Sequence, residues 1–163
     1  MWGFNKTIEK RKPRKDSNIV EVPIITVNKP NGIGNIYTEN SVSDMLEIFN
    51  ESENKNSFCG GLVYSGVAEM KSRNVKDVTH TVEHLYLEDG FLIAVVKFLE
   101  HERAKLAKGM LKEGKAIVRP TIHGYADTVT KEVIVTEILG FDVLGFDDVS
   151  SYMDLIDWIC IKK

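Results

Sequence analysis

The feature that most constrains this chain is a tight turn that opens onto an almost unbroken apolar run. E-D-G (Glu88 to Gly90) is followed by F-L-I-A-V-V-K-F-L (Phe91 to Leu99). Asp-Gly supplies the positive-φ positions of a hairpin turn at low steric cost. Ahead of the turn, residues alternate in the manner of a strand with one face inward. Val78, His80, Val82, His84 and Tyr86 fall on one face, and Thr79, Thr81, Glu83, Leu85 and Leu87 on the other. The returning strand has no such alternation, so both its faces must be covered, and it is predicted to lie at the centre of a sheet.

The same block continues from Asn74 to Asp142 in the order strand, strand, helix, strand, strand. Glu100 to Gly114 reads as a helix with Leu106, Ala107, Met110 and Leu111 on its apolar face. Gly114 stands where a helix C-terminus favours glycine. Lys115 to Tyr125 reads as a strand interrupted at Arg119-Pro120, and a proline there requires an edge position or a bulge. Thr128 to Lys131 is a turn, and Glu132 to Leu144 is the closing strand. The expected architecture is α+β: a mostly antiparallel sheet or partly closed β-barrel flanked by helices.

The flanking segments fit that core. Asn18 to Val27 is rich in β-branched residues, and Pro23 again signals an edge or a bulge. Asn28 to Gly34 is a loop of turn formers. Ser41 followed by Asp44 reads as a helix N-cap, with Val42, Met45, Leu46 and Phe49 as the apolar face of a helix from Ser41 to Glu51. Phe58 to Ser65 is a strand interrupted by Gly60 and Gly61, which points to a close backbone approach. Ser150 to Ile161 reads as an amphipathic helix. The organisation is a basic arm (1–16), an α+β domain (17–149) and a C-terminal helix (150–163).

Composition excludes several classes. A chain of 163 residues with 43% hydrophobic and 28% charged residues fits one ordinary globular domain. Its net charge of −3 gives no global reason to expect nucleic acid. The arm is the exception: Lys6, Lys10, Arg11, Lys12, Arg14 and Lys15 face only Glu9 and Asp16. It is either a solvated tail or a contact element for an acidic protein surface or nucleic acid. The two cysteines, Cys59 and Cys160, form no disulfide framework, which suits a reducing compartment. No apolar run approaches the ~18 residues of a membrane span, so the expectation is a product assembled in cytosol, with no membrane partner.

Chemistry is sparse. In a strand, His80 and His84 would stand about 13 Å apart, too far to share an ion, so no metal is expected. No cofactor motif is present, because the G-x-G of N-G-I-G-N-I-Y lacks the strand-to-helix context of a phosphate loop. His101 reads as a surface residue, His123 as a satisfied half-buried histidine, and Cys59 as a small core residue.

The order of segments from about Asn31 to Asp148 resembles the prohead core proteases of T-even-type tailed bacteriophages, relatives in fold of the herpesvirus assemblins. Four pieces carry the resemblance: N-I-Y leading into a helix that ends in F-N; G-G-L-V-Y-S (Gly60 to Ser65), similar to the family's G-E-L-x-H-P; V-T-H (Val78 to His80) with the hairpin and the K-L-A-K…G helix; and G-F-D-V-L (Gly140 to Leu144). The family's catalytic positions are not all kept. Tyr64 stands where the family has a histidine, and Arg119-Pro120 stand where it has its serines. The histidine of V-T-H, His80, is retained. An arginine stays protonated and cannot attack a carbonyl, and a tyrosine cannot accept a proton near neutral pH.

The resemblance therefore implies the fold without the activity, with Tyr64, His80 and Arg119 brought together at the position of a lost catalytic cluster. The role it suggests is a structural component of a tailed-phage particle, capsid-associated, portal-proximal or in the core. Such a protein is made in the host cytoplasm and contacts other virion proteins or further copies of itself. Nucleic acid would be reached only through the arm. The alternatives are an active head-maturation peptidase with a relocated nucleophile (Thr121 or Ser65, with His80 or His123 as base), and a host-directed binding protein.

Overall fold

The computed structural model of the protein describes residues 18–31, 34–52, 58–63 and 77–145. The arm at 1–16, Tyr64, Ser65, Cys160 and the helix expected at 150–163 all lie outside the described residues. Seven strands and two helices are described: β1 (Ile19–Thr26), α1 (Glu39–Glu51), β2 (Cys59–Gly60), β3 (Leu62–Val63), β4 (His80–Glu88), β5 (Phe91–Phe98), α2 (Glu102–Lys112), β6 (Ala116–Ala126) and β7 (Val133–Gly145).

One sheet has the order β1-β5-β4-β2 and the other β3-β7-β6, and all pairings are antiparallel except β3 with β7. The turn before β5 is of the expected kind, with φ of 54° at Asp89 and 83° at Gly90. β5 lies between β1 and β4, and Leu92 to Val96 are all buried. Each of the four larger side chains (Leu92, Ile93, Val95 and Val96) stabilises the fold by roughly 1.5–3 kcal/mol relative to exposure. Both prolines behave as edge residues. Pro23 sits on β1 beside a bulge, and Pro120 sits on β6 opposite Phe141. β6 is not broken at Arg119-Pro120 but runs on, with bulges after Thr121 and His123.

The two sheets are joined by residues 58–63. Gly60 pairs with His80 in the first sheet, and two residues later Leu62 pairs with Val143 in the second. The result is a half-barrel that curls from β1 round to β6, with no strand pairing between those two edges among the described residues. Phe58, Phe49 of α1 and Phe141 of β7 pack together at the joint, with ring centroids 4.8 Å apart for Phe49–Phe58 and 6.4 Å for Phe58–Phe141. α1 packs on β7 and β4, while α2 packs on β6, β3, β5 and β7.

Three local expectations are corrected. The N-cap of α1 is Thr38, not Ser41. Thr38 has an extended backbone, its Oγ1 accepts from Ser41 N–H, and the Ser41 hydroxyl accepts from Thr38 N–H, forming a capping box. Ser41 Oγ also donates to the Val133 carbonyl, which anchors the helix start to β7. On α2, Leu106 is 45% exposed, whereas Ala104, Ala107 and Leu111 are buried. Two tethers set that rotation: His101 Nε2–H donates to Val78 O at 2.8 Å, and Arg103 donates to Leu62 O at 2.9 Å. In β4 a bulge between Val82 and His84 shifts the alternation by one residue. His80, Val82 and Leu85 are buried while His84 is exposed and stacks on Tyr86, so the two histidines do not share a face.

Candidate functional site

His80 is the place to look for chemistry, and its surroundings follow from the joint between the sheets. Gly60 passes so close to β7 that a Cβ added there would sit 1.5 Å from the Phe141 carbonyl oxygen, so only glycine fits. Gly61 N–H donates to Asp142 Oδ1 at 2.8 Å, and Val143 N–H donates to Gly61 O at 3.0 Å. Against this seam stands His80, with 0% of its surface exposed. Its Nε2 lies 2.7 Å from Phe141 O and its Nδ1 2.8 Å from Thr79 Oγ1. A carbonyl can only accept, so Nε2 carries the proton. In the neutral ring Nδ1 then accepts from the Thr79 hydroxyl. The Phe98 ring, 5.5 Å away between centroids, covers the imidazole.

A hydroxyl donating to an imidazole is the first half of a nucleophile–base pair. Here it has no access: Thr79 is also 0% exposed, and a substrate carbonyl has no route to its Oγ1. Both ring nitrogens of His80 are occupied by fold-internal partners. The pair ties β4 to β7 rather than meeting solvent.

The sequence-predicted positions fall around β7. Phe141, the acceptor for His80, is the cross-strand partner of Pro120, and the next residue, Asp142, is the partner of Arg119. His80 and the 119–120 segment thus flank consecutive residues of one strand. Tyr64 lies outside the described residues. Asp142 is buried, and its signal in the sequence is a lone aspartate between Phe141 and Val143 in an otherwise apolar run. Arg119, although opposite Asp142, makes no hydrogen bond or ion pair among the described residues.

The other candidates are separate. His123 is exposed rather than half-buried, with Nδ1 2.7 Å from Glu137 Oε1, its cross-strand partner. Thr121 Oγ1 is buried without a hydrogen-bond partner, so neither His80 nor His123 reaches it. His101 is the N-cap of α2, accepting from Ala104 N–H through Nδ1. Cys59 is partly exposed rather than a fully buried core residue. Asp127 accepts from the amides of Val129 and Thr130, and these bonds hold its exposed carboxyl below the usual aspartate range. Among the described residues no group of His, Cys, Asp and Glu could hold a metal ion, and no helix is long and apolar enough to cross a membrane.

A cavity of about 390 Å³ opens where the half-barrel fails to close. Its walls are Ile24 and Ile25 of β1, residues 117–122 and 124–126 of β6, and Asn31, Asn35, Tyr37 and Val133. Arg119 is the one charged residue in the lining among the described residues.

No protein-family description matches this chain by sequence, and no curated protein does. Among solved structures, the chain is similar to that of the bacteriophage T4 capsid assembly protease, gp21. The TM-score is 0.48 and the identity 15%, over 80% of this chain and 79% of that one.

Proposed function

We propose that this chain is a non-catalytic structural protein of a tailed-phage particle, built on a prohead-protease-like fold. The single observation that carries the non-catalytic reading is the burial of His80, with Nε2–H committed to the Phe141 carbonyl and Nδ1 to the Thr79 hydroxyl. A general base must present a free lone pair to a proton that it can reach. The retained histidine instead joins the two sheets. The placement in a phage particle rests on the resemblance of the segments from Asn31 to Asp148, and the basic residues from Lys6 to Lys15 are the natural element for reaching a neighbouring virion protein.

The active-peptidase reading has less support, because Thr121 Oγ1 has no base within hydrogen-bond reach. The deciding experiment combines activity-based labelling with particle analysis. Purified protein is expected to leave a fluorophosphonate probe unreacted and to cleave neither itself nor capsid-type substrates. Mass spectrometry of purified particles of the encoding phage is expected to find it in the virion. Stoichiometric labelling that is lost in Thr121→Ala or Ser65→Ala would promote the peptidase. Absence from the particle, with an unlabelled protein, would favour a host-directed binder.

A further inference from the structure

The first sheet carries an apolar strip on the face turned away from the core. Along β5, Leu92, Ala94, Val96 and Phe98 belong to the hydrophobic core, whereas Ile93 and Val95, which alternate with them, do not and stand on the opposite face. Both are nonetheless buried, at 0% and 2% exposure. Pro23, the cross-strand partner of Ile93 on β1, is buried with them. The helices serve the other side: Val42, Met45 and Phe49 of α1 and Ala107 and Leu111 of α2 lie in the core. Tyr86 of β4 straps the strip. It stands opposite Ile93 and donates its hydroxyl across β5 to Glu21 of β1, opposite Val95, at 2.8 Å, while His84 stacks on its ring. The surroundings are acidic: Glu21, Glu88 and the bulge residue Glu83 flank the strip, against Lys97 at one end.

We propose that the basic arm of this same chain, residues 1–16, docks on this face, with its lysines and arginines on the three glutamates and Trp2 and Phe4 over Ile93 and Val95. Charge selects the occupant. The arm sets Lys6, Lys10, Arg11, Lys12, Arg14 and Lys15 against Glu9 and Asp16, whereas the apolar C-terminal segment brings Asp154 and Asp157 to a face that is already acidic. The tether favours it too. The arm leaves the fold at Asn18, which is pinned beside this face: Asn18 O accepts from Phe98 N–H at 2.8 Å, and Asn18 Oδ1 accepts from Lys108 Nζ at 3.0 Å. Sixteen residues reach up to about 50 Å when extended, twice the ~26 Å of the eight-residue β1. Exposed ion pairs are individually weak, but a short tether holds the arm at an effective concentration of order millimolar, above that of a second copy in dilute solution. A virion protein reached by the arm would have to displace it from this face; the docking itself does not depend on the non-catalytic reading.

The test is paramagnetic broadening in the full-length protein. A nitroxide is placed on Thr7→Cys, with Cys59→Ser and Cys160→Ser removing the native thiols, and a dispersed spectrum before labelling verifies folding. Amides of residues 21, 83–88 and 93–95 are expected to lose most of their intensity, and those of α1, beyond the core, to lose least. The triple variant Lys10→Glu, Arg11→Glu, Lys12→Glu is expected to restore the intensity, as is ~1 M salt, where the screening length falls to about 3 Å. The unsubstituted protein gives a second reading: its amide shifts at Glu21, Ile93 and Val95 are expected to move with the same salt more than those of α1.

Weak broadening spread evenly over the domain, or broadening indifferent to salt and to charge reversal, overturns the proposal, since the arm is then a solvated tail. Broadening of isotope-enriched protein by spin-labelled, unenriched protein overturns it in favour of a second copy. A nitroxide on the native Cys160, in Cys59→Ser, that broadens Ile93 and Val95 when the Thr7→Cys label does not gives the face to the C-terminal segment and overturns it as well. None of these outcomes bears on probe labelling or particle composition, so the functional reading stands or falls separately.

Discussion

His80 shows how a residue type that suggests catalysis can serve the fold instead. With both ring nitrogens bonded and no exposed surface, its removal leaves the Phe141 carbonyl unpaired and a void against Phe98. His80→Ala is expected to lower unfolding stability by about 2–4 kcal/mol, from the cavity and the orphaned acceptor together. His84→Ala, on the exposed side of the bulge, is expected to stay within about 0.5 kcal/mol of the parent. Denaturant titration of both variants checks the contrast. Similar small effects would mean that His80 is not the tie between β4 and β7. The four histidines divide by environment: a buried staple (His80), a helix cap (His101), a cross-strand contact to Glu137 (His123) and an exposed stacking ring (His84).

At the scale of elements, the short segment 58–63 does more than its length suggests. It leaves one sheet at Gly60 and enters the other at Leu62, so its backbone must cross β7 at contact distance. Gly60→Ala would drive a methyl into the Phe141 carbonyl, which is backbone and cannot swing aside. The expected loss is about 3 kcal/mol or more, enough to prevent folding of a marginal domain. Gly109→Ala is the opposite case. It lies inside α2 with nothing within 4 Å of the added carbon, and is expected to stabilise by about 0.5–1 kcal/mol through helix propensity. Thermal melts of the pair, moving in opposite directions, test whether the sheets are joined where the structure joins them.

For the molecule as a whole, protection should follow position in the half-barrel. β5 is central and buried, while β1 and β6 are sheet edges that line the cavity. Amides of Phe91 to Phe98 are expected to be the slowest in hydrogen exchange, and those of β1 and β6 that face the gap between them among the fastest of the strands. Exchange in β6 slower than in β5 would mean that the gap between β1 and β6 is closed in solution.

The sequence alone determined what depends on local chemistry and periodicity. The Asp89-Gly90 turn, the central apolar strand, α1 and α2, and the edge placement of both prolines were all legible, because turn geometry, side-chain alternation and the missing proline N–H act within a few residues. Gly60 was legible as a close approach, but not what it approaches. Three things required the tertiary structure. The bulge in β4 separates His80 from His84, and a one-residue slip reverses faces without changing the sequence pattern. The tethers from His101 and Arg103 turn Leu106 outward, although helical periodicity places it on the apolar face. Above all, the role of His80 depends on a carbonyl 61 residues away, and its burial there leaves the ring no lone pair for a substrate.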